Sequence, residues 1–250
     1  MAFSPGLAQI KLVATDMDGT LTRRGFFTGD LLRGLERLHQ AGVPVVIVTG
    51  RSAGWVQGVA HYLPIAGAMA ENGGVYFAGV NASAELLTDL PDVSTHRQGL
   101  AQLFERLRQQ WPGLQPSWDN PFRLTDWTFD ITGLTQMDLD QLGQTCQAAG
   151  WGFTYSTVQC HLFKPGQSKA EGLLRVLGQH FPQISPPQVV TVGDSPNDES
   201  LFNRAVFPHG VGVANIKDYG ERLTHRPAYI ATGAEVDGFL ELVNLLVEPV

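Results

Sequence analysis

The chain has 250 residues, 43% of them hydrophobic and 16% charged. That balance suits one large core, or a core with a small second unit. A net charge of -7 argues against a general nucleic-acid binder or a protein held on an anionic membrane surface.

In chain order, "IKLVATD" is a short β-branched apolar run that ends on Asp16-Met17-Asp18-Gly19-Thr20. Leu31, Leu32, Leu35 and Leu38 then recur at helical spacing, Gly42 stands where a helix stop belongs, and "VPVVIVTGR" follows as a second buried-type strand. A third strand closes in "GAMAENGG", at the turn residues Asn72-Gly73-Gly74. Continuous apolar strands separated by amphipathic helices predict an α/β fold, a Rossmann-like parallel sheet covered on both faces.

From about Asn81 to His161 the texture changes. Leu100, Leu103, Phe104, Leu107 and Trp111 mark a helix. "RLTDWTFDI" puts Trp127, Phe129 and Ile131 on one strand face and Asp126, Thr128 and Asp130 on the other. A weak helix around Leu139 and Leu142 precedes "GWGFTYSTVQCHLF". Alternation of this kind marks a half-exposed antiparallel sheet, so a small α+β unit is expected over 81–162, between core parts 1–80 and 163–250. The buried pattern then returns. Ser168 with Glu171 three residues on starts a helix at or near Lys169. "QVVTVGD", "GVGVAN" and "PAYIAT" read as strands and "GFLELVNLLV" as a closing helix.

No apolar stretch is long enough to span a bilayer, and the start "MAFSPGLAQIK" lacks a basic segment followed by a long apolar run. A soluble cytoplasmic chain is expected. Cys146 and Cys160 form no CxxC pair, which excludes a disulfide framework or a cysteine-rich zinc site.

Chemistry gathers at strand ends. Asp16 and Asp18 follow the first strand, Thr49-Gly50-Arg51 the second, and "GDSPND", Gly193 to Asp198, a late one. Ligands of open parallel sheets bind beyond the carboxyl ends of the strands, so these segments share one crevice with Lys169. Carboxylates that crowd raise one another's pKa unless a cation offsets them, and Mg²⁺ suits an all-oxygen set. Aspartate is a competent nucleophile toward phosphorus, and a second carboxylate can carry the proton.

These four ordered motifs resemble the haloacid dehalogenase (HAD) superfamily of phosphatases. The position of the insert is similar to the subgroup with an α/β cap there, which includes Cof-type sugar phosphatases, sucrose-phosphate phosphatase, mannosyl-3-phosphoglycerate phosphatase and phosphomannomutase. The resemblance implies Asp16 as nucleophile and Asp18 as general acid/base, its backbone carbonyl a metal ligand. It implies Thr49 and Lys169 as phosphoryl ligands, and Asp194 as a direct Mg²⁺ ligand with Ser195, Asn197 and Asp198 in support. The expected partner is a small phosphorylated metabolite, a sugar phosphate or phosphorylated glycoside. A phosphomutase and a non-catalytic phospho-ligand-binding domain are the alternatives.

Further candidates for substrate contact are Gly50, Arg51, Asn72, Arg123, Asp126, His161, Lys164 and Asn215. For Arg51 a surface ion pair, for Asn72 a turn role and for Asn215 a strand-end cap stand beside that reading. Lys164, in "FKPG", competes with Lys169 for the phosphoryl role. Trp118, Trp127 and Trp151 offer either a sugar-stacking surface or packing for the small sheet. Oligomeric state and the leaving alcohol are not legible.

Overall fold

A computed structural model describes residues 9–90, 92–156 and 158–247; most of the N-terminal segment read above for a leader lies outside them. The first strand forms at Leu12–Thr15 (β1), followed by a helix at Gly29–Gln40 (α1), Val45–Val48 (β2), Ala53–Tyr62 (α2) and Gly67–Ala70 (β3). Two strands not foreseen from the sequence, Val75–Phe77 (β4) and Glu85–Leu86 (β5), come next. The middle of the chain holds Val93–Gln110 (α3), Asp126–Asp130 (β6), Gln136–Ala148 (α4), Gly152–Tyr155 (β7) and Gln159–Phe163 (β8). The last part adds Lys169–His180 (α5), Val189–Gly193 (β9), His209–Gly212 (β10), Tyr229–Ile230 (β11) and Glu235–Val247 (α6).

The large sheet runs β11-β10-β9-β1-β2-β3-β4-β5. Strands from β11 to β3 pair in parallel, and β4 and β5 extend the edge antiparallel. Strand residues alternate between two apolar layers. Val13, Ile47 and Val192 pack under α1, α2 and α6 through Leu35, Val56 and Phe239, while Leu12, Val46 and Val189 meet α5 through Leu173 and Val176. Burying both faces is why the strands read as unbroken apolar runs. Met17 falls into the first layer, 2% exposed.

A separate three-stranded antiparallel sheet, β6-β8-β7, carries its own core on one face, where Phe104, Phe129, Leu142, Cys160 and Leu162 meet. Its other face is not solvated as the alternation suggested. Asp126, Thr128 and His161 are buried there, because residues 119–123 fold over Asp126 and Thr128 and the loop at Gly50 lies against His161. Both cysteines are free and buried. No helix among the described residues is long and apolar enough to cross a membrane.

Candidate active site

Parallel pairing of β1 with β2 and β9 brings the residues after each strand to one edge. Thr20 and Asp194 show how closely the loops approach. The Thr20 hydroxyl lies 3.4 Å from Asp194 Oδ1, and a Cβ on Gly19 would sit 2.4 Å from Asp194 Oδ2. Gly19 also has φ +79°, so both the turn and the contact demand glycine.

Lys169 is fully buried at the start of α5, where Ser168 Oγ accepts the Glu171 backbone N–H. Its Nζ donates to Asp16 Oδ1 at 2.5 Å and to Asp198 Oδ1 at 2.6 Å. Burial alone would favour the neutral amine, but the Asp16 and Asp198 charges outweigh it and hold the ammonium above the usual lysine range. The other oxygen of Asp198 accepts the backbone N–H of Asp194 (2.8 Å) and of Ser195 (3.1 Å). Both oxygens of Asp198 are thus occupied, which suits a supporting role. Ser195 Oγ donates to Asn197, whose amide donates to Asn72 Oδ1.

One oxygen from each of Asp16, Asp194 and Asp198 lies within 4.8 Å of the others. Burial, with Asp198 and Asp18 adding to it and Lys169 opposing, pushes Asp16 up to about 7. Asp194 is raised well above the carboxylate range, chiefly by burial and then by Asp16 and Asp198. One lysine does not balance three buried carboxylates. An all-oxygen donor set with excess negative charge fits a hard divalent cation, with Asp16 and Asp194 as the available carboxylates.

Thr49 is 1% exposed and lines a pocket with Asp16, Asp18, Gly50 and Arg51 on one side. Ser156, Val158, Gln159 and His161, all from the small-sheet unit, close the other side. Arg51 is neither a plain surface pair nor a free substrate ligand. It holds Asp18 through Nε–Oδ2 (2.9 Å) and Nη2–Oδ1 (2.6 Å) and lies 5.0 Å from the Trp55 ring centroid. Asn72 has φ +52° and so does turn service, yet its buried Nδ2 has no partner among the described residues and stands beside Gly50. Ser156, Val158 and Gln159 were not singled out from the sequence, although Gln159 shares a strand face with His161.

Four candidates are placed elsewhere. Lys164 donates to the Asp89 carbonyl in a separate cleft lined by Leu87, Thr88 and Arg175, which none of Asp16, Asp194 and Asp198 lines. Asn215 Nδ2 donates to Asp194 Oδ2 (2.8 Å) and to the Gly19 carbonyl (3.1 Å). Arg123 and Asp126 are buried against each other behind the pocket wall and do not line it. Among the tryptophans, Trp127 and Trp151 pack on the small sheet's core and Trp118 is 68% exposed beside Phe122; none lines the pocket.

A haloacid dehalogenase-like hydrolase family model matches residues 13–91 and 127–240. The phosphoglycolate phosphatase of Aeropyrum pernix is 28% identical over 244 residues, covering 96% of this chain and 95% of that protein. That of Methanopyrus kandleri is 31% identical, covering 92% and 95%. A solved Thermoplasma acidophilum structure superposes with a TM-score of 0.77 at 20% identity, covering 95% of this chain and 98% of the other. The sucrose-phosphatase of Synechocystis sp. PCC6803, solved with sucrose and phosphate, gives a TM-score of 0.69 at 16% identity, covering 95% and 98%. With its motifs gathered at one sheet edge and the family match spanning most of its length, the chain belongs to the haloacid dehalogenase-like hydrolases.

Proposed function

We propose that the chain is a Mg²⁺-dependent phosphatase of small phosphorylated metabolites, working through an aspartyl-phosphate on Asp16, with residues 81–162 as its cap. The observation that carries this reading is Lys169 bridging Asp16 and Asp198 at 2.5 and 2.6 Å, with Asp194 in reach of the same centre. The names of the curated relatives, phosphoglycolate phosphatases among them, agree with it.

Asp16 attacks phosphorus, and the bond from phosphorus to the leaving oxygen breaks. Asp18 gives that oxygen its proton. Water then loses a proton to Asp18 and attacks the phosphoryl group, which breaks its bond to Asp16 and frees inorganic phosphate. Thr49 Oγ and Lys169 hold phosphoryl oxygens, and Asn72 Nδ2, without a partner among the described residues, is a further donor beside them. Asp18 must exchange its Arg51 partner to serve, so substrate entry and release of that pair go together. Asp16, Asp194 and the Asp18 carbonyl would hold the cation, with Ser195, Asn197 and Asp198 supporting it. When bound, the cation supplies positive charge that offsets the carboxylates and the phosphoryl oxygens.

Phosphate release from phosphoglycolate, sugar phosphates and an aryl phosphate, with Mg²⁺ and with chelator, tests the reading. Mg²⁺-dependent release from at least one ester is expected. Exchange between hexose phosphates with little free phosphate would instead favour a mutase, and stable binding without turnover a non-catalytic domain.

A further inference from the structure

The pocket wall opposite the carboxylates is one face of β8. Along that strand Cys160 and Leu162 enter the small sheet's core, which sends Gln159 and His161 the other way, into the pocket lining. His161 is 1% exposed, and its Nδ1 lies 2.9 Å from Asp126 Oδ2. A carboxylate accepts, so the proton sits on Nδ1. Nε2 makes no hydrogen bond among the described residues and is left for whatever enters the pocket.

Asp126 is itself fixed. Both its oxygens accept from Arg123 Nη1, at 2.8 and 3.0 Å. Arg123 has no exposed side-chain surface, and Nη2 is engaged by Asp119 (2.8 Å) and Gln159 (2.9 Å). Its Nη1 also reaches across to the core and donates to the Gly50 carbonyl at 3.0 Å. That carbonyl belongs to the loop that carries Thr49 and Arg51. A Cβ on Gly50 would lie 3.0 Å from His161 Cε1, so the imidazole is seated directly against the loop.

We propose that His161 is the specificity-determining residue of the cap, its Nε2 accepting a hydrogen bond from a hydroxyl of the leaving group, with Asp126 and Arg123 as positioning residues that aim it when the cap docks on Gly50. The inference rests on the phosphatase reading and narrows it to esters of alcohols that keep a second hydroxyl, such as polyols, sugars and hydroxylated acids. Asp126 does not depend on the imidazole for a positive partner, because Arg123, shared with Asp119, already pairs with it. Burial in turn lowers His161 from its ordinary value, against the pull of Asp126, and keeps Nε2 an acceptor. An unpaired acceptor facing an ester without that hydroxyl costs binding, which is how one buried group discriminates.

The test compares glycerol 3-phosphate with propyl phosphate, which differ by two hydroxyls, on the full Mg²⁺-loaded chain. The unaltered protein is expected to prefer glycerol 3-phosphate by about 10- to 100-fold in kcat/KM. His161→Ala should collapse that preference to within about threefold, mostly through KM on the hydroxylated ester. Asp126→Asn should reduce the same preference, and adding it to His161→Ala should change the preference little further, since the two act as one unit. Should Asp126→Asn fail to fold by circular dichroism, the His161→Ala preference decides alone. Equal turnover of the two esters by the unaltered protein overturns the inference, as does an equal loss on both in His161→Ala. A phosphoglycolate activity that exceeds glycerol 3-phosphate and suffers most in His161→Ala also overturns it, because His161 would then be a cationic donor to carboxylate. If no ester is hydrolysed, an aryl phosphate included, it is the phosphatase reading itself that fails.

Discussion

Arg51 and Asp18 form a two-point ion pair, Nε to Oδ2 at 2.9 Å and Nη2 to Oδ1 at 2.6 Å, at the mouth of the pocket. The guanidinium is thus stationed on the group proposed to carry the proton. Its fork geometry matches a carboxylate in a way an ammonium does not. Arg51→Ala is expected to lower kcat/KM for the best ester by about 10- to 100-fold, and Arg51→Lys to recover only part of it. Steady-state phosphate release measures this; full recovery by lysine would show that only charge matters.

The buried carboxylates make the metal-free protein sensitive to pH in a defined direction. Asp16 is pushed up to about 7, first by burial, from a reference of 3.8, and Asp194 is raised by the same cause. Between those values the unfolded chain gives up its proton while the folded chain keeps it. Stability of the metal-free form therefore falls as pH rises from about 4 to 7, and the loss is complete above the folded value. A cation competes with those protons, so Mg²⁺ should raise the melting temperature more at pH 8 than at pH 6. Thermal unfolding with and without Mg²⁺ at the two pH values checks this; an equal gain at both would contradict it.

Among the described residues, Lys169 is the one cation paired with Asp16 and Asp198. Lys169→Met removes it and leaves two buried carboxylates uncompensated, at a cost of about 3–5 kcal/mol by analogy with other broken buried pairs. Urea unfolding without metal should show the loss, and Mg²⁺ should restore part of it while activity stays absent.

Glu71 joins the large-sheet part of the chain to the small-sheet part. It is fully buried at φ +54°, and its carboxylate accepts the backbone N–H of Ala53 (2.9 Å), Leu124 (3.0 Å) and Thr125 (2.6 Å) and the Thr125 hydroxyl (2.8 Å). Glu71→Ala orphans these donors, at about 1–3 kcal/mol for each one left dry. Hydrogen exchange should quicken at residues 124–126 well before the large sheet opens; unchanged exchange there would show that water replaces the carboxylate at little cost.

How far the sequence reached depends on the range of the forces involved. Asp16, Thr49 and Asp194 were legible because each ends an apolar run, and parallel pairing brings such ends together. Lys169 was legible from the Ser168 cap that starts its helix. The polar face of β6 and β8 was not, since Asp126 and His161 alternate like solvated residues and are buried by partners outside their strands, Asp126 by Arg123 and His161 against the loop at Gly50. Lys164 and Asn215 had suitable chemistry, but turns placed Lys164 at Asp89 and Asn215 on Asp194. The antiparallel edge at β4 and β5 is five residues of strand in all, too short for a periodic signal.

The central claim is that Asp16 takes the phosphoryl group. Acid-quenched turnover of an aryl phosphate with Mg²⁺, followed by peptide mass spectrometry, should find a phosphoryl adduct on the peptide holding Asp16. Asp16→Asn should lose both adduct and phosphate release while it unfolds at a temperature near that of the unaltered protein. Phosphate release that survives in Asp16→Asn, or an adduct on another residue, would contradict the account.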